Sequence, residues 1–191
     1  CFIDQHRSSD LLQLELLLQQ YPVVALGEIG LDFWSGDADK PAQISLFARQ
    51  LVLAKQYRLP VLLHVRKAHD QVLHQLRKSG FDAGGIVHAY SGSLQQAEQY
   101  IKLGFKLGVG GGITYPRAQK LRATLQQLGP EHWVLETDAP DMPLIGRQGE
   151  LNRPDYLPQI FAVLLDLFGG SSEQLSELLW RNSESVFGKL S

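Results

Sequence analysis

Apolar segments alternate with helix-forming segments along the whole chain, at spacings of roughly 20 to 35 residues, and this alternation constrains the fold most. The first segment, Val23 to Asp32, is rich in aliphatic and β-branched residues and shows no polar alternation. Such a run is typical of a strand buried on both faces of a parallel sheet. Because parallel strands need crossover helices, the sequence predicts an α/β fold. The expected strands are 23–32, 59–64, 83–92, 105–114 and 132–140, and the expected helices are 11–20, 41–58, 67–78, 94–103, 116–128, 154–168 and 172–187.

Four of these strands end on residue types that bind divalent metals: Glu28, His64, His88 and Asp138. A buried carboxylate without a partner costs several kcal/mol or loses its charge, so a metal ion is the expected partner of Glu28. Each residue alone has a plain structural alternative: a salt bridge for Glu28, core packing for the two histidines, and capping of the following turn for Asp138. Together, the four favour a metal site. The other candidates, which fall on helices or ahead of a strand, are assigned to surface or packing positions: His69, His74 and His132.

Ligand types at the carboxyl ends of several strands favour a (β/α)8 TIM barrel, in which the chemistry is built from many strand ends. An open doubly wound sheet would concentrate its site at one switch point. The length of 191 residues predicts a single domain over residues 1–191.

Four further features are candidates for substrate contacts. Arg66, just beyond His64, could hold a phosphate through its guanidinium, or pair with an acid such as Glu28 or Asp32. Trp34 could stack a base or simply pack. The run 110–112 of glycines could let a substrate approach the backbone but fits no phosphate-loop pattern. Asn152 is first a helix N-cap and second a substrate contact.

Composition limits the partners and the location. The net charge is −2 and the pI about 6.3, so no global positive field attracts nucleic acid, and any phosphate must be drawn by local cations or metal ions. The single cysteine, Cys1, favours a reducing compartment. We find no signal peptide or membrane-spanning run, so we expect a cytoplasmic protein without a membrane partner.

Several motifs, in order and spacing, resemble the TatD family of metal-dependent deoxyribonucleases, and most closely its YjjV-type branch: GEIGLD, LPVLLHVR, HAYSGS, VGGGITYPRA, LETDAPDMPL, NRP and RNSESVF. The resemblance implies a (β/α)8 barrel that hydrolyses DNA phosphodiester bonds with two divalent metals, zinc, magnesium or manganese. It implies that Glu28 bridges the metals, that His64 and His88 bind the second metal, and that Asp138 also handles the attacking water. Tyr90 replaces the family's more usual phenylalanine. Single-stranded DNA or DNA 3′ ends are the implied substrate.

One departure from the family pattern concerns the first metal site. The family opens with a strand that carries His-x-His, whereas here His6 is followed by Ser8 at the second position. We therefore expect about five of the eight barrel strands in this chain, with the remainder supplied by a missing N-terminal segment or a partner chain. Two alternatives stay open: an amidohydrolase-like enzyme for a small ester or amide, and an inactive fragment that lacks half of the metal site.

Overall fold

The computed structural model describes residues 3–7, 9–34 and 39–188. Ser8, the residue in the second position of the imperfect His-x-His, lies outside these ranges. The chain divides into two compact units, Cys1–Ile86 and Val87–Ser191. The single domain over residues 1–191 stays a prediction.

The first unit alternates helices with parallel strands. After a 3-10 helix, Ile3–Gln5, its elements are α1 (Asp10–Gln20), β1 (Leu26–Asp32), α2 (Lys40–Gln56), β2 (Val61–Arg66), α3 (His69–Ser79) and the start of β3 (Gly85–Val87). The order across its part of the sheet is β1, β2, β3. β1 and β2 are parallel, with Gly30 opposite His64 and Asp32 opposite Arg66.

Two helices cover this part of the sheet with the apolar faces that the sequence predicts. Phe47, Leu51 and Ala54 of α2 are fully buried, and α3 buries Val72, Leu73 and Leu76. Gly80, which follows α3, adopts the left-handed conformation at φ 59°, which glycine allows at low cost. The strand predicted at 23–32 is longer than β1. Val23 and Val24 precede the strand and are 40% and 55% exposed.

The second unit begins within β3 and continues with α4 (Leu94–Lys102), β4 (Phe105–Val109), α5 (Gln119–Leu128), β5 (Trp133–Leu135), α6 (Leu157–Phe168) and α7 (Ser172–Phe187). Three 3-10 helices intervene: Gly111–Thr114, Pro130–His132 and Pro154–Tyr156. The order across this part of the sheet is β3, β4, β5, and β4 is parallel to β5. Ser93 is the N-cap of α4 and forms a full capping box with Gln96.

Strands β3, β4 and β5 are all shorter than the sequence predicts. In β4 the expected strand 105–114 stops at Val109, and a 3-10 turn replaces its second half. The Thr114 hydroxyl donates to the Gly111 carbonyl at 2.7 Å, so a local hydrogen bond competes with the sheet ladder. A Cβ at Gly111 would come within 2.6 Å of the Met142 carbonyl oxygen, so the close approach of a distant loop requires glycine there.

Asn182 joins α7 to the entrance of β5. Its buried amide donates to the carbonyls of Pro130 and Trp133, at 2.9 and 2.7 Å, and its oxygen accepts from the Lys106 ammonium at 3.4 Å. A buried side chain whose polar groups are all bonded fixes the position of α7, since losing any partner would leave a desolvated polar group.

His69 makes folding depend on pH. This first residue of α3 is only 9% exposed, and burial lowers the pKa of its imidazole, partly opposed by the Asp70 charge. Below about pH 6.5 the unfolded chain therefore binds a proton more readily than the folded chain. We expect the free energy of unfolding to fall as the pH is lowered from 7 through the folded-state pKa.

Urea unfolding at a series of pH values measures this dependence. His69→Gln should flatten it, and His74→Gln, on the exposed face of the same helix, is the matched control for loss of an imidazole. An unchanged pH dependence in His69→Gln would contradict the assignment.

Candidate metal centre

In the first unit, Glu28 and His64 form a close pair. Glu28 Oε2 lies 3.8 Å from His64 Nδ1, with the two side chains 47% and 36% exposed. The expectation that Glu28 is buried at the end of its strand is wrong: β1 continues to Asp32. His64 likewise lies inside β2, two residues before its end.

Asp32 holds the other nitrogen of this histidine, a role that sequence reasoning missed. Its Oδ2 lies 3.4 Å from His64 Nε2, and its Oδ1 accepts the Trp34 N–H at 2.9 Å. Burial raises the pKa of the Asp32 carboxyl, but the Trp34 hydrogen bond and His64 lower it more, so the net pKa is below its ordinary value. A carboxylate on one imidazole nitrogen orients the other nitrogen for a metal.

The period of two in a strand was the available signal for Asp32. Successive strand side chains alternate between faces, so Glu28, Gly30 and Asp32 share one face of β1. Between the two acids, Gly30 leaves room for β2, because a Cβ there would lie 2.0 Å from the His64 carbonyl oxygen. The sequence of β1 therefore places two carboxylates, Glu28 and Asp32, close to His64, with Gly30 between them.

In the second unit, His88 and Asp138 form a similar pair. His88 follows β3 directly, as predicted, and Asp138 comes three residues after β5. His88 Nδ1 lies 3.8 Å from Asp138 Oδ1, with the side chains 11% and 26% exposed. Asp138 has φ 59°, an uncommon conformation for a residue with a side chain. Such strained positions cluster at functional sites, where surrounding contacts maintain them.

Asn152 holds the loop that carries Asp138. Its amide donates to the carbonyls of Thr137 and Met142, one on each side of Asp138, and its backbone N–H donates to the Pro140 carbonyl. The expected N-cap role is wrong, because Arg153 precedes the following 3-10 helix and Asn152 is 3% exposed. Its contact with substrate stays a prediction.

Glu136 supports the backbone next to His88, a role that the sequence analysis also did not predict. The N–H of Ala89, the residue after His88, donates to Glu136 Oε1 at 2.5 Å. Gly108 makes room for this carboxylate, since a Cβ there would lie 2.6 Å from Glu136 Oε2. Gly108 lies opposite Val134, two residues before Glu136, so a glycine in β4 beside this acid could have signalled the contact.

Both pairs fit a divalent cation. Nitrogen and oxygen ligands bind such ions at about 2.0 to 2.2 Å, so two ligand atoms of one ion lie at most about 4.4 Å apart. The His–carboxylate separations of 3.8 Å satisfy this limit in each unit. Mixed imidazole and carboxylate donors suit zinc and manganese, and carboxylates also suit magnesium.

Arg66, Lys67 and Trp34 form a cationic aromatic cluster beside the first pair. The Arg66 guanidinium carbon and the Lys67 ammonium lie 4.3 and 4.1 Å from the centre of the Trp34 ring, which is 56% exposed. Arg66 also contributes to the lowered pKa of Asp32. This agrees with the predicted alternative that Arg66 pairs with an acid. The cluster combines positive charge with an accessible aromatic side chain.

Across the described ranges, every helix is too short or too polar to cross a bilayer.

The chain matches the family model "TatD related DNase" over residues 1–188. It is 45% identical to the "uncharacterized metal-dependent hydrolase YjjV" of Escherichia coli K12, covering 97% of this chain and 72% of that protein. It is 33% identical to the "3'-5' ssDNA/RNA exonuclease TatD" of Klebsiella pneumoniae, covering 90% and 68%. The crystal structure of the E. coli YjjV protein superposes with a TM-score of 0.92 over 97% of this chain and 72% of that chain. These matches confirm the predicted α/β fold of the TIM-barrel type, of which the described residues contribute five parallel strands.

Replacing Asp32 should weaken metal binding without removing a ligand. We expect Asp32→Asn to lower divalent-metal affinity by about 10- to 100-fold, because His64 loses the carboxylate that orients it. Calorimetric titration of the chelator-treated protein with Mn²⁺ measures the affinity. Asp39→Asn, which preserves the N-cap of α2, is the matched control, and equal affinities for the two variants would contradict the role of Asp32.

Proposed function

Because the chain belongs to the TatD family of metal-dependent hydrolases, we propose that it hydrolyses the phosphodiester bonds of DNA with two divalent ions. The observation that carries the proposal is the pair of His–carboxylate contacts, each 3.8 Å between ligand atoms. The similarity to a protein named as a single-strand DNA and RNA exonuclease supports a phosphodiester substrate.

In this proposal Glu28, His64, His88 and Asp138 would hold the ions. Zinc, magnesium and manganese all suit this donor set. When bound, such ions polarise a phosphoryl oxygen and lower the pKa of coordinated water. The chain's own contribution is to hold the ligands: Asp32 orients His64, and Glu136 fixes the backbone after His88.

Asp138 acts as the general base. Its carboxylate, 26% exposed, can accept the proton of the attacking water. The water oxygen attacks phosphorus, the ester P–O bond breaks, and the departing oxygen takes up a proton from solvent. Asn152 keeps the carboxylate in place, since it bonds the carbonyls on both sides of the Asp138 loop. A fixed base reduces the entropic cost of reaching the transition state.

The proposed substrate is single-stranded DNA or a DNA 3′ end. Arg66 neutralises the charge of the phosphate locally. The chain's net charge of −2 does not attract phosphate at long range. Trp34, exposed and next to two cations, can stack on an unpaired base, whereas paired bases in a duplex hide their faces.

The decisive experiment follows the release of nucleotides from single-stranded DNA. We expect Asp138→Asn to lower kcat by at least about 100-fold, which is the usual contribution of a general base, and chelation of the metal to abolish activity. Asp141→Asn, an exposed acid on the same loop, is the matched control and should keep wild-type kcat.

Activity that survives both Asp138→Asn and chelation contradicts the proposed mechanism. Hydrolysis of small esters or amides in place of DNA would favour the amidohydrolase alternative. Metal content well below one ion per chain, together with no hydrolysis, would favour the inactive fragment.

The substrate role of Arg66 has a separate kinetic test. Arg66→Ala should raise KM for single-stranded DNA about 10-fold with little change in kcat, because a charge-assisted contact to phosphate is lost. The dependence of KM on salt should also weaken, since one fewer phosphate is neutralised. Arg49→Ala, an exposed arginine of α2, is the control, and an unchanged KM in Arg66→Ala would refute this role.

A further inference from the structure

A cavity of about 350 Å³ lies within the second unit and has no part in the mechanism described above. Its walls come from the segment after β3, the end of β4, the 3-10 helix Gly111–Thr114, the start of α5 and the loop that carries Asp138. This volume falls in the range of small-molecule sites.

The cavity adjoins the backbone of both metal-ligand candidates of this unit. Ala89, the residue after His88, lines it, and so do Met142 and Pro143 from the Asp138 loop. Gly108 also lines it, and a Cβ on this residue would lie 2.9 Å from the His88 Cα. A group bound here is therefore next to the residues that we propose perform the hydrolysis.

The walls are mostly apolar and aromatic, and their aromatic groups are fixed. The Tyr115 hydroxyl donates to the Pro143 carbonyl at 2.7 Å, and the Tyr90 hydroxyl donates to the Ser93 carbonyl. Burial raises the pKa of the Tyr90 hydroxyl, so this ring stays neutral. Gly110 and Gly112 contribute no side chains, which leaves backbone against which a flat molecule can lie.

The cavity has one cationic edge. Arg117 is the one charged side chain among the described residues that line it, and it is exposed. Its guanidinium carbon lies 4.8 Å from the centre of the Tyr115 ring. The cavity thus pairs an apolar, aromatic interior with a single guanidinium at its mouth, which suits a flat heterocycle attached to an anionic group.

We propose that this cavity binds the base of an unpaired nucleotide next to the scissile phosphate, with Arg117 facing the nucleotide's own phosphate. The assignment of a place beside the scissile bond rests on the proposed DNA hydrolysis, whereas nucleotide binding by the cavity does not. Gly112, in the glycine run that fits no phosphate-loop pattern, then has a reason: a side chain at this residue would enter the base site.

Gly112→Val is the variant that tests base binding. A Cβ at Gly112 meets only the Met142 methyl at 3.8 Å, so the substitution fits the backbone and adds its methyl groups to the cavity. Calorimetric titration compares 2′-deoxyadenosine 5′-monophosphate with 2-deoxyribose 5-phosphate. The wild-type chain should bind the nucleotide about 10-fold more tightly, as expected for stacking of one base, and Gly112→Val should lose this difference.

Arg117→Gln should weaken binding of both phosphates by about 10-fold and keep the preference for the base. Lys120→Gln, an exposed cation of α5 that does not line the cavity, is the matched control and should change neither. Gly112→Ala, a smaller change, gives an intermediate loss if the larger variant does not fold.

The outcomes separate this proposal from the proposed hydrolysis. A preference for the nucleotide over the sugar phosphate that Gly112→Val removes supports the cavity assignment even if the chain releases no nucleotides from DNA, in which case only the hydrolytic proposal fails. Equal binding of nucleotide and sugar phosphate by the wild-type chain, or a base preference that persists in Gly112→Val, overturns the cavity assignment whether or not DNA is hydrolysed.

Discussion

The site depends on placing a carboxylate within 4 Å of an imidazole twice, once in each unit. Carboxylate oxygens and imidazole nitrogens at such separations fit a cation as the third partner. Parallel strands allow this arrangement because their ends bring side chains from distant parts of the sequence to one edge. Glu28 and His64 are far apart in sequence but lie on neighbouring strands whose register sets Gly30 against His64.

The ligand pairs are held by further polar groups around them. Asp32 fixes the His64 ring, Glu136 binds the backbone after His88, and Asn152 binds the loop around Asp138. Each contact satisfies a group that would otherwise be poorly solvated, so the same bonds stabilise the fold and orient the site. Glycines at 30 and 108 are part of this arrangement because they admit the neighbouring groups.

The prediction from sequence was most accurate where local signals agree. The limits of α7 agree with the predicted helix 172–187, because caps and apolar periods act within a few residues. Strand ends were the weakest part. The predicted strand 105–114 ignored the packing of a loop against Gly111, and residues 23 and 24 were apolar but exposed. Apolar character alone does not say whether a neighbouring strand is present.

By itself, the sequence determined the α/β alternation, the four ligand candidates and the family to which the chain belongs, because residue type and chain order carry all three. Only the tertiary structure decided which candidates approach each other, that Glu28 is half exposed, and that Asn152 supports a loop and does not cap a helix. It also formed the cavity at Tyr115 and Arg117. These features depend on strand register and loop packing, which join residues far apart in sequence and leave no local pattern.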